Sequence, residues 1–142
     1  MQSPDLVGHA TTTLLDLVVV ACGGRGESAE IAGRRGLRAA RLRAVLAKIE
    51  AGFANPRISA QIVAQELSLS ARYVQDLLQE TGIGFAERIL ELRLQKSRQM
   101  LSNPQQDAML ISEIAYSAGF NDVSYFNRSF RRRFGCAPKS AR

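Results

Sequence analysis

Histidine is nearly absent from this sequence, and its scarcity excludes the catalytic and metal sites that depend on histidine. The only histidine, His9, lies close to the N-terminus, so the rest of the chain cannot hold a Ser-His-Asp triad, a Cys-His pair or a multi-histidine zinc site. The two cysteines, Cys22 and Cys136, show no metal-ligand spacing and form no disulfide framework. A carboxylate pair stays open, although no spacing brings two acids together. We therefore expect no enzyme, no metal and no cofactor.

A membrane-spanning or secretory segment is also lacking. The longest apolar run, LLDLVVVAC from Leu14 to Cys22, is too short to cross a bilayer and is interrupted by Asp16. No lysine or arginine precedes it, whereas a secretion signal needs a basic start. The run instead predicts a short helix over Leu14 to Ala21, and we expect a cytoplasmic protein with no membrane partner.

Positive charge is abundant and unevenly distributed. The net charge is +6, and the last part of the chain carries basic residues without any acid: Arg128, Arg131, Arg132, Arg133, Lys139 and Arg142. Such a balance favours a polyanionic partner, which is either nucleic acid or an anionic membrane surface.

The chain shows helical periodicity and no strand pattern. Residues 1–13 are expected to be disordered, and five glycines between Cys22 and Gly36 predict a flexible linker. From Leu37 an apolar stripe recurs at helical spacing, through Leu42, Val45, Leu46 and Ile49. A second long helix is predicted from about Gly84 to Leu101, where Asn103-Pro104 stops it.

The stretch from Ile111 to Pro138 predicts a helix, a tight turn and a second helix. Gly119 marks the turn and Asp122 can cap the second helix, whose Phe126 and Phe130 are four residues apart on one side. The other side is polar and basic, with Ser124, Asn127, Arg128, Arg131 and Arg132. An anchored helix with such an outer face suits a DNA major groove.

A similar pattern occurs 51 residues earlier. Ala64, Leu69, Val74 and Leu78 correspond to Ala115, Phe120, Phe126 and Phe130, with one more residue in the second turn. Ser59 and Ser70 are good N-caps for the two helices of this first unit. The predicted fold is all-α, with two helix-turn-helix units, at about 59–80 and 109–134, joined by a long helix.

The chain from about Arg38 to Arg142 resembles the DNA-binding region of the AraC/XylS family of bacterial transcription regulators. In the second unit the matching residues are Ile114-Ala115, Ala118-Gly119-Phe120, Ser124-Tyr125-Phe126, Arg128, Phe130-Arg131, Phe134-Gly135 and Pro138. Earlier matches are Val63-Ala64, Ser70, Tyr73-Val74, Thr81-Gly82, Phe85 and Arg93-Leu94. The departures are Ser68 for a usual Gly, Asp76 for Arg, Leu78 for Phe, and Ala141 for a bulkier residue.

The resemblance implies a homeodomain-like transcription regulator whose recognition helices, at about 70–80 and 122–133, enter successive major grooves of double-stranded DNA. We expect DNA contacts from Arg72, Gln75, Ser124, Asn127, Arg128, Arg131 and Arg132, with Arg133 also near phosphate or solvent. Residues 37–142 would be the DNA-binding domain, and 1–36 the tail, short helix and linker of an upstream sensor region. RNA polymerase is a further candidate partner, and an effector would bind the missing sensor domain. The alternative is a helical protein-interaction module, which would not need two outward arginine-bearing helices.

Overall fold

The computed structural model describes Thr13, Leu14, Leu17 and residues 26–142, and within 26–142 it contains helices and no strand. The α-helices are α1 (Glu27–Gly52), α2 (Ala60–Glu66), α3 (Ala71–Gln79), α4 (Phe85–Leu101), α5 (Ile111–Ser117) and α6 (Val123–Phe134). Short 3-10 helices follow at Pro104–Gln106 and Pro138–Ala141. The predicted all-α class and the two helix-turn-helix units, α2–α3 and α5–α6, are confirmed.

Side-chain caps begin the helices at the predicted positions. The Ser59 hydroxyl accepts the Ile62 N–H at 3.2 Å at the start of α2, and the Ser70 hydroxyl accepts the Tyr73 N–H at 3.1 Å at the start of α3. Asp122 caps α6, where its Oδ1 accepts the Tyr125 N–H at 2.8 Å. Each cap satisfies a backbone donor that the first helical turn leaves open.

The two turns share one hydrogen-bond pattern. The Leu69 N–H donates to the Ala64 carbonyl at 2.8 Å, and the Phe120 N–H donates to the Ala115 carbonyl at 3.0 Å. Both turns pass through the left-handed region, at Ser68 (φ +56°) and Gly119 (φ +101°). The structure therefore confirms the predicted sequence repeat.

Gly119 also lies where three segments of the chain meet closely. A Cβ at this position would lie 2.8 Å from both the Ala54 carbonyl oxygen and Arg93 Nε. Arg93 projects from α4, and its guanidinium donates to the carbonyls of Phe53 (2.8 Å) and Asn55 (3.0 Å) beyond the end of α1. Burial lowers the pKa of Arg93 from its ordinary value.

The second unit packs around aromatic side chains against α4. Its buried cluster consists of Leu94, Leu101, Ile114, Ala115, Ala118, Phe120, Phe126 and Phe130. Leu94 and Leu101 belong to α4, so this connecting helix forms one wall of the second unit's core. In the first unit the buried side chains are aliphatic: Val63, Ala64, Val74, Leu77 and Leu78.

The N-terminal part corrects one prediction. Helix α1 begins at Glu27, so residues 27–36 are helical and are not a flexible linker. Two acids in its first turn complement the helix dipole, and the Arg34 guanidinium pairs with Glu30 one turn away. Extending a helix is much easier than nucleating one, which offsets the cost of Gly33 and Gly36. Thr13, Leu14 and Leu17 are helical. The other residues of the predicted tail, short helix and linker up to residue 25 lie outside the described residues.

Candidate nucleic-acid interface

Helix α6 separates its buried and exposed faces as the sequence predicts. Phe126, Ser129 and Phe130 are buried against the second unit's core. The predicted contact residues are all exposed, and they are Ser124, Asn127, Arg128, Arg131 and Arg132. The spacing of three and four residues places them on one continuous outer surface. This surface offers hydroxyl, amide and guanidinium groups, which are the side chains that hydrogen-bond base edges and phosphates.

Helix α3 presents a similar but less basic surface. Val74, Leu77 and Leu78 are buried, whereas Arg72 and Gln75 are exposed as predicted. Asp76, Gln79 and Glu80 continue the exposed side. The first unit therefore brings a guanidinium and two amides to its outer face, together with two carboxylates.

Aligning the two helices by their buried residues pairs the outer positions one by one. The pairs are Arg72 with Ser124, Gln75 with Asn127, Asp76 with Arg128, Gln79 with Arg131, and Glu80 with Arg132. Among these outer positions, the first unit has one arginine and two acids, whereas the second unit has three arginines and no acid. The outer face of the second unit is therefore the more positively charged of the two.

Arg133 is exposed to solvent, as expected, but it also forms an ion pair that the sequence did not predict. Its Nε lies 2.9 Å from Glu91 Oε2 and its Nη2 lies 2.8 Å from Glu91 Oε1, so α4 holds it in a bidentate ion pair. The hydrogen bond from Arg133 lowers the pKa of Glu91 from its ordinary value, and the same contact raises the pKa of Arg133. The periodicity of α4 could not show this pair, because its members are 42 residues apart.

A groove of about 610 Å³ lies beside α3, between that helix and the start of α4. Gln75 and Gln79 line it together with Ser59, Phe85 and Glu87.

Within residues 26–142 no three His, Cys, Asp or Glu side chains are grouped so that they could hold a metal ion. Among the described helices, none has the length and apolar character needed to span a membrane.

Comparison with known proteins identifies similar chains. A family described as "Helix-turn-helix domain" matches residues 63–142. Transcriptional activator RhrA of Rhizobium meliloti (strain 1021) is 34% identical over 102 residues, covering 72% of this chain and 32% of RhrA. HTH-type transcriptional activator RhaS of Escherichia coli O139:H28 (strain E24377A / ETEC) is 35% identical over 105 residues, covering 73% and 36%. This chain thus spans about a third of the length of these curated relatives.

Solved structures show the same likeness. The C-terminal domain of AraT, a response regulator from Geobacillus stearothermophilus, aligns with a TM-score of 0.64 and 26% sequence identity. The alignment covers 71% of this chain and 82% of that domain. Both helix-turn-helix units of the described chain lie within the part that the helix-turn-helix family matches, apart from the first residues of α2.

Proposed function

The chain belongs to the AraC/XylS family of DNA-binding transcription regulators, and from this membership we propose that it places α3 and α6 in two successive major grooves of double-stranded DNA. The observation that carries the proposal is the division of α6 into two faces. Phe126 and Phe130 are buried, while five polar or basic side chains are exposed on the opposite side. A helix anchored in this way can present its outer face to a groove without losing its packing.

We assign base contacts to the exposed residues nearer the start of each recognition helix. Arg72 and Arg128 suit guanine, because a guanidinium can donate to O6 and N7 together, and Gln75 and Asn127 suit adenine by the same bidentate geometry. Ser124 can hydrogen-bond to several base edges. Arg131 and Arg132 lie in the last turn of α6, where we propose that they neutralise phosphates and supply affinity rather than specificity.

The connecting helix limits how the two units reach DNA. Helix α4 has 17 residues, which at 1.5 Å per residue gives a length of about 26 Å. Successive major grooves on one face of straight B-DNA lie about 34 Å apart. We therefore propose that the DNA bends towards the protein, at a cost on the order of a few kcal/mol that depends on the DNA sequence.

The wider organisation follows from the same family membership. We propose residues 37–142 as the DNA-binding domain and residues 1–36 as part of a connection to a sensor region, where an effector would bind. RNA polymerase is the second partner that we propose, because regulators of this kind act on transcription. We also propose a cytoplasmic location, because a transcription regulator acts where it can reach DNA.

A salt series tests the proposed function. The labelled probes are a duplex enriched by the unmodified chain from a random-sequence library and a mixed-sequence duplex of equal length. We expect the chain to bind the enriched duplex at least about a thousandfold more tightly, and we expect log K to fall linearly with log salt concentration for both. Equal affinity for the two duplexes would contradict sequence-specific recognition, and failure to bind either would favour the protein-interaction alternative.

A further inference from the structure

The last turn of α6 is fastened to the middle of α4 by a group of polar and aromatic contacts. Glu91 accepts hydrogen bonds from Arg133 through both carboxylate oxygens, at 2.8 and 2.9 Å. The side-chain amide of Gln95, one turn further along α4, donates to Glu91 Oε1 at 2.7 Å. Glu91 is therefore itself held in place while it binds Arg133.

The ring of Phe134 completes this contact. The Arg133 guanidinium carbon lies 5.1 Å from the ring centroid, and the guanidinium carbon of Arg98 on α4 lies 4.8 Å from it. Glu91, Gln95 and Arg98 recur at steps of four and three residues, which places them on one side of α4. One face of the connecting helix thus contacts the two consecutive residues that end α6.

We propose that Glu91 and Arg133 are positioning residues that set the orientation of α6 on α4, and that Arg133 serves this contact and does not bind a DNA phosphate. The proposal rests on the proposed function, because the orientation of α6 matters only if that helix enters a groove. The start of α6 is fixed independently, by the Asp122 cap and by Phe126, whose ring centroid lies 5.0 Å from that of Phe120. A helix fixed at both ends holds its base-contacting side chains in one register.

The first unit has a different contact at the corresponding position. Thr81 aligns with Arg133, and its hydroxyl accepts a hydrogen bond from Arg88 of α4 at 2.9 Å. Helix α4 therefore supplies the basic partner to the first unit and the acidic partner to the second. The end of α6 is thus bound to α4 through a charge pair, whereas Thr81, two residues beyond α3, is bound to α4 through the hydrogen bond from Arg88.

The sign of the effect of Glu91→Ala separates a positioning role from a phosphate contact. If Arg133 binds phosphate, removing the neighbouring carboxylate frees that arginine and raises DNA affinity. If Glu91 positions α6, the same substitution weakens binding to the enriched duplex although the protein becomes more positive. We expect Glu91→Ala and Arg133→Ala each to weaken that binding about two- to fivefold, which is the range for a partly exposed ion pair.

The experiment measures fluorescence anisotropy of the enriched and mixed-sequence duplexes over a salt series, with the full chain and its variants. We expect Arg133→Ala to leave the slope of log K against log salt unchanged. Arg132→Ala is the matched control, because Arg132 is an exposed arginine one residue away. This substitution should make the fall of log K with log salt less steep by about one ion. Circular dichroism melts establish that the variants are folded at the assay temperature.

A charge reversal supplies the second readout. Arg133→Glu should weaken binding, and adding Glu91→Arg in the same chain should restore most of the loss, since the reversed pair can form again. Three results would each overturn the proposal. They are a double variant that binds no better than Arg133→Glu, a gain in affinity on Glu91→Ala, and a less steep salt dependence for Arg133→Ala. Failure of the unmodified chain to bind either duplex would instead overturn the proposed function.

Discussion

In the first helix-turn-helix unit the turn passes through Ser68 at φ +56°, whereas in the second it passes through Gly119 at φ +101°. The hydrogen bond that closes each turn is the same, so one backbone motif accepts two residues with different costs. Serine must bear the strain of a left-handed conformation, which glycine does not. The second unit cannot make the reverse exchange, because Ala54 and Arg93 lie too close to Gly119 for a Cβ.

The hydrophobic cores of the two units also differ, because that of the second unit is aromatic and that of the first is aliphatic. Phe120, Phe126 and Phe130 follow one another at ring-centroid distances of 5.0 and 5.6 Å. The corresponding residues of the first unit are Leu69, Val74 and Leu78. Larger aromatic side chains remove more apolar surface from water and add favourable ring contacts. The outer faces differ as well, because that of the second unit is the more basic. We infer that the second unit supplies most of the affinity and that the first adds contacts that depend on sequence.

The largest expected effect is on the aromatic core. Phe130→Ala should destabilise the second unit by roughly 3–5 kcal/mol, because it removes a fully buried ring and leaves a cavity. Leu78→Ala, at the corresponding place in the first unit, removes fewer carbon atoms and should cost less. Circular dichroism melts without DNA measure both. A melt of Phe130→Ala that matched the unmodified chain would contradict the position of Phe130 in the core.

The turns should respond in opposite directions. Gly119→Ala should destabilise the chain by roughly 1–3 kcal/mol, towards the upper end because the new Cβ meets a backbone carbonyl as well as an unfavourable φ. Ser68→Gly should relieve strain and leave stability unchanged or raise it by up to about 1 kcal/mol. Urea denaturation of the two variants is the measurement. A loss of stability from Ser68→Gly as large as that from Gly119→Ala would contradict the strain assigned to Ser68.

A smaller effect is expected on specific DNA binding. Arg128→Ala should weaken binding to the enriched duplex by roughly 1–3 kcal/mol and relax the preference at one or two base positions. Arg132→Ala is the control, which should weaken binding to all sequences alike. Repeated selection from random DNA with the Arg128→Ala chain would detect the relaxed preference. Equal losses on enriched and mixed-sequence DNA would make Arg128 a phosphate contact.

The smallest effect is expected from a substitution that makes the first unit resemble the second. Asp76→Arg replaces an exposed acid with the residue that occupies the aligned position, Arg128. Affinity for mixed-sequence DNA should rise by roughly 0.2–1 kcal/mol, as for exposed charge pairs. The log–log salt slope should steepen by about one ion. An unchanged affinity would assign Asp76 a structural or sequence-reading role.

Local signals predicted most of the fold. The caps at Ser59, Ser70 and Asp122 and the repeated apolar spacing depend on neighbours within a few residues, so they are visible in the sequence. The ion pair of Glu91 with Arg133 and the close approach at Gly119 depend on how helices cross, which no periodicity records. The predicted start of α1 is wrong, because Gly33 and Gly36 have low helix propensity as single residues but lie inside a helix that begins at Glu27. For the DNA contacts, the exposure of all seven predicted residues was foreseen, while their roles at base edges and phosphates stay predictions.

A hydroxyl-radical footprint of the unmodified chain on the enriched duplex, repeated with Arg72→Ala, tests the two-groove arrangement most directly. We predict two protected blocks about one helical turn apart, roughly 34 Å along the duplex, for a single bound chain. Arg72→Ala should weaken only the block at the first unit, and Arg128→Ala should weaken the other. A single protected block that Arg72→Ala leaves unchanged would contradict DNA reading by the first unit.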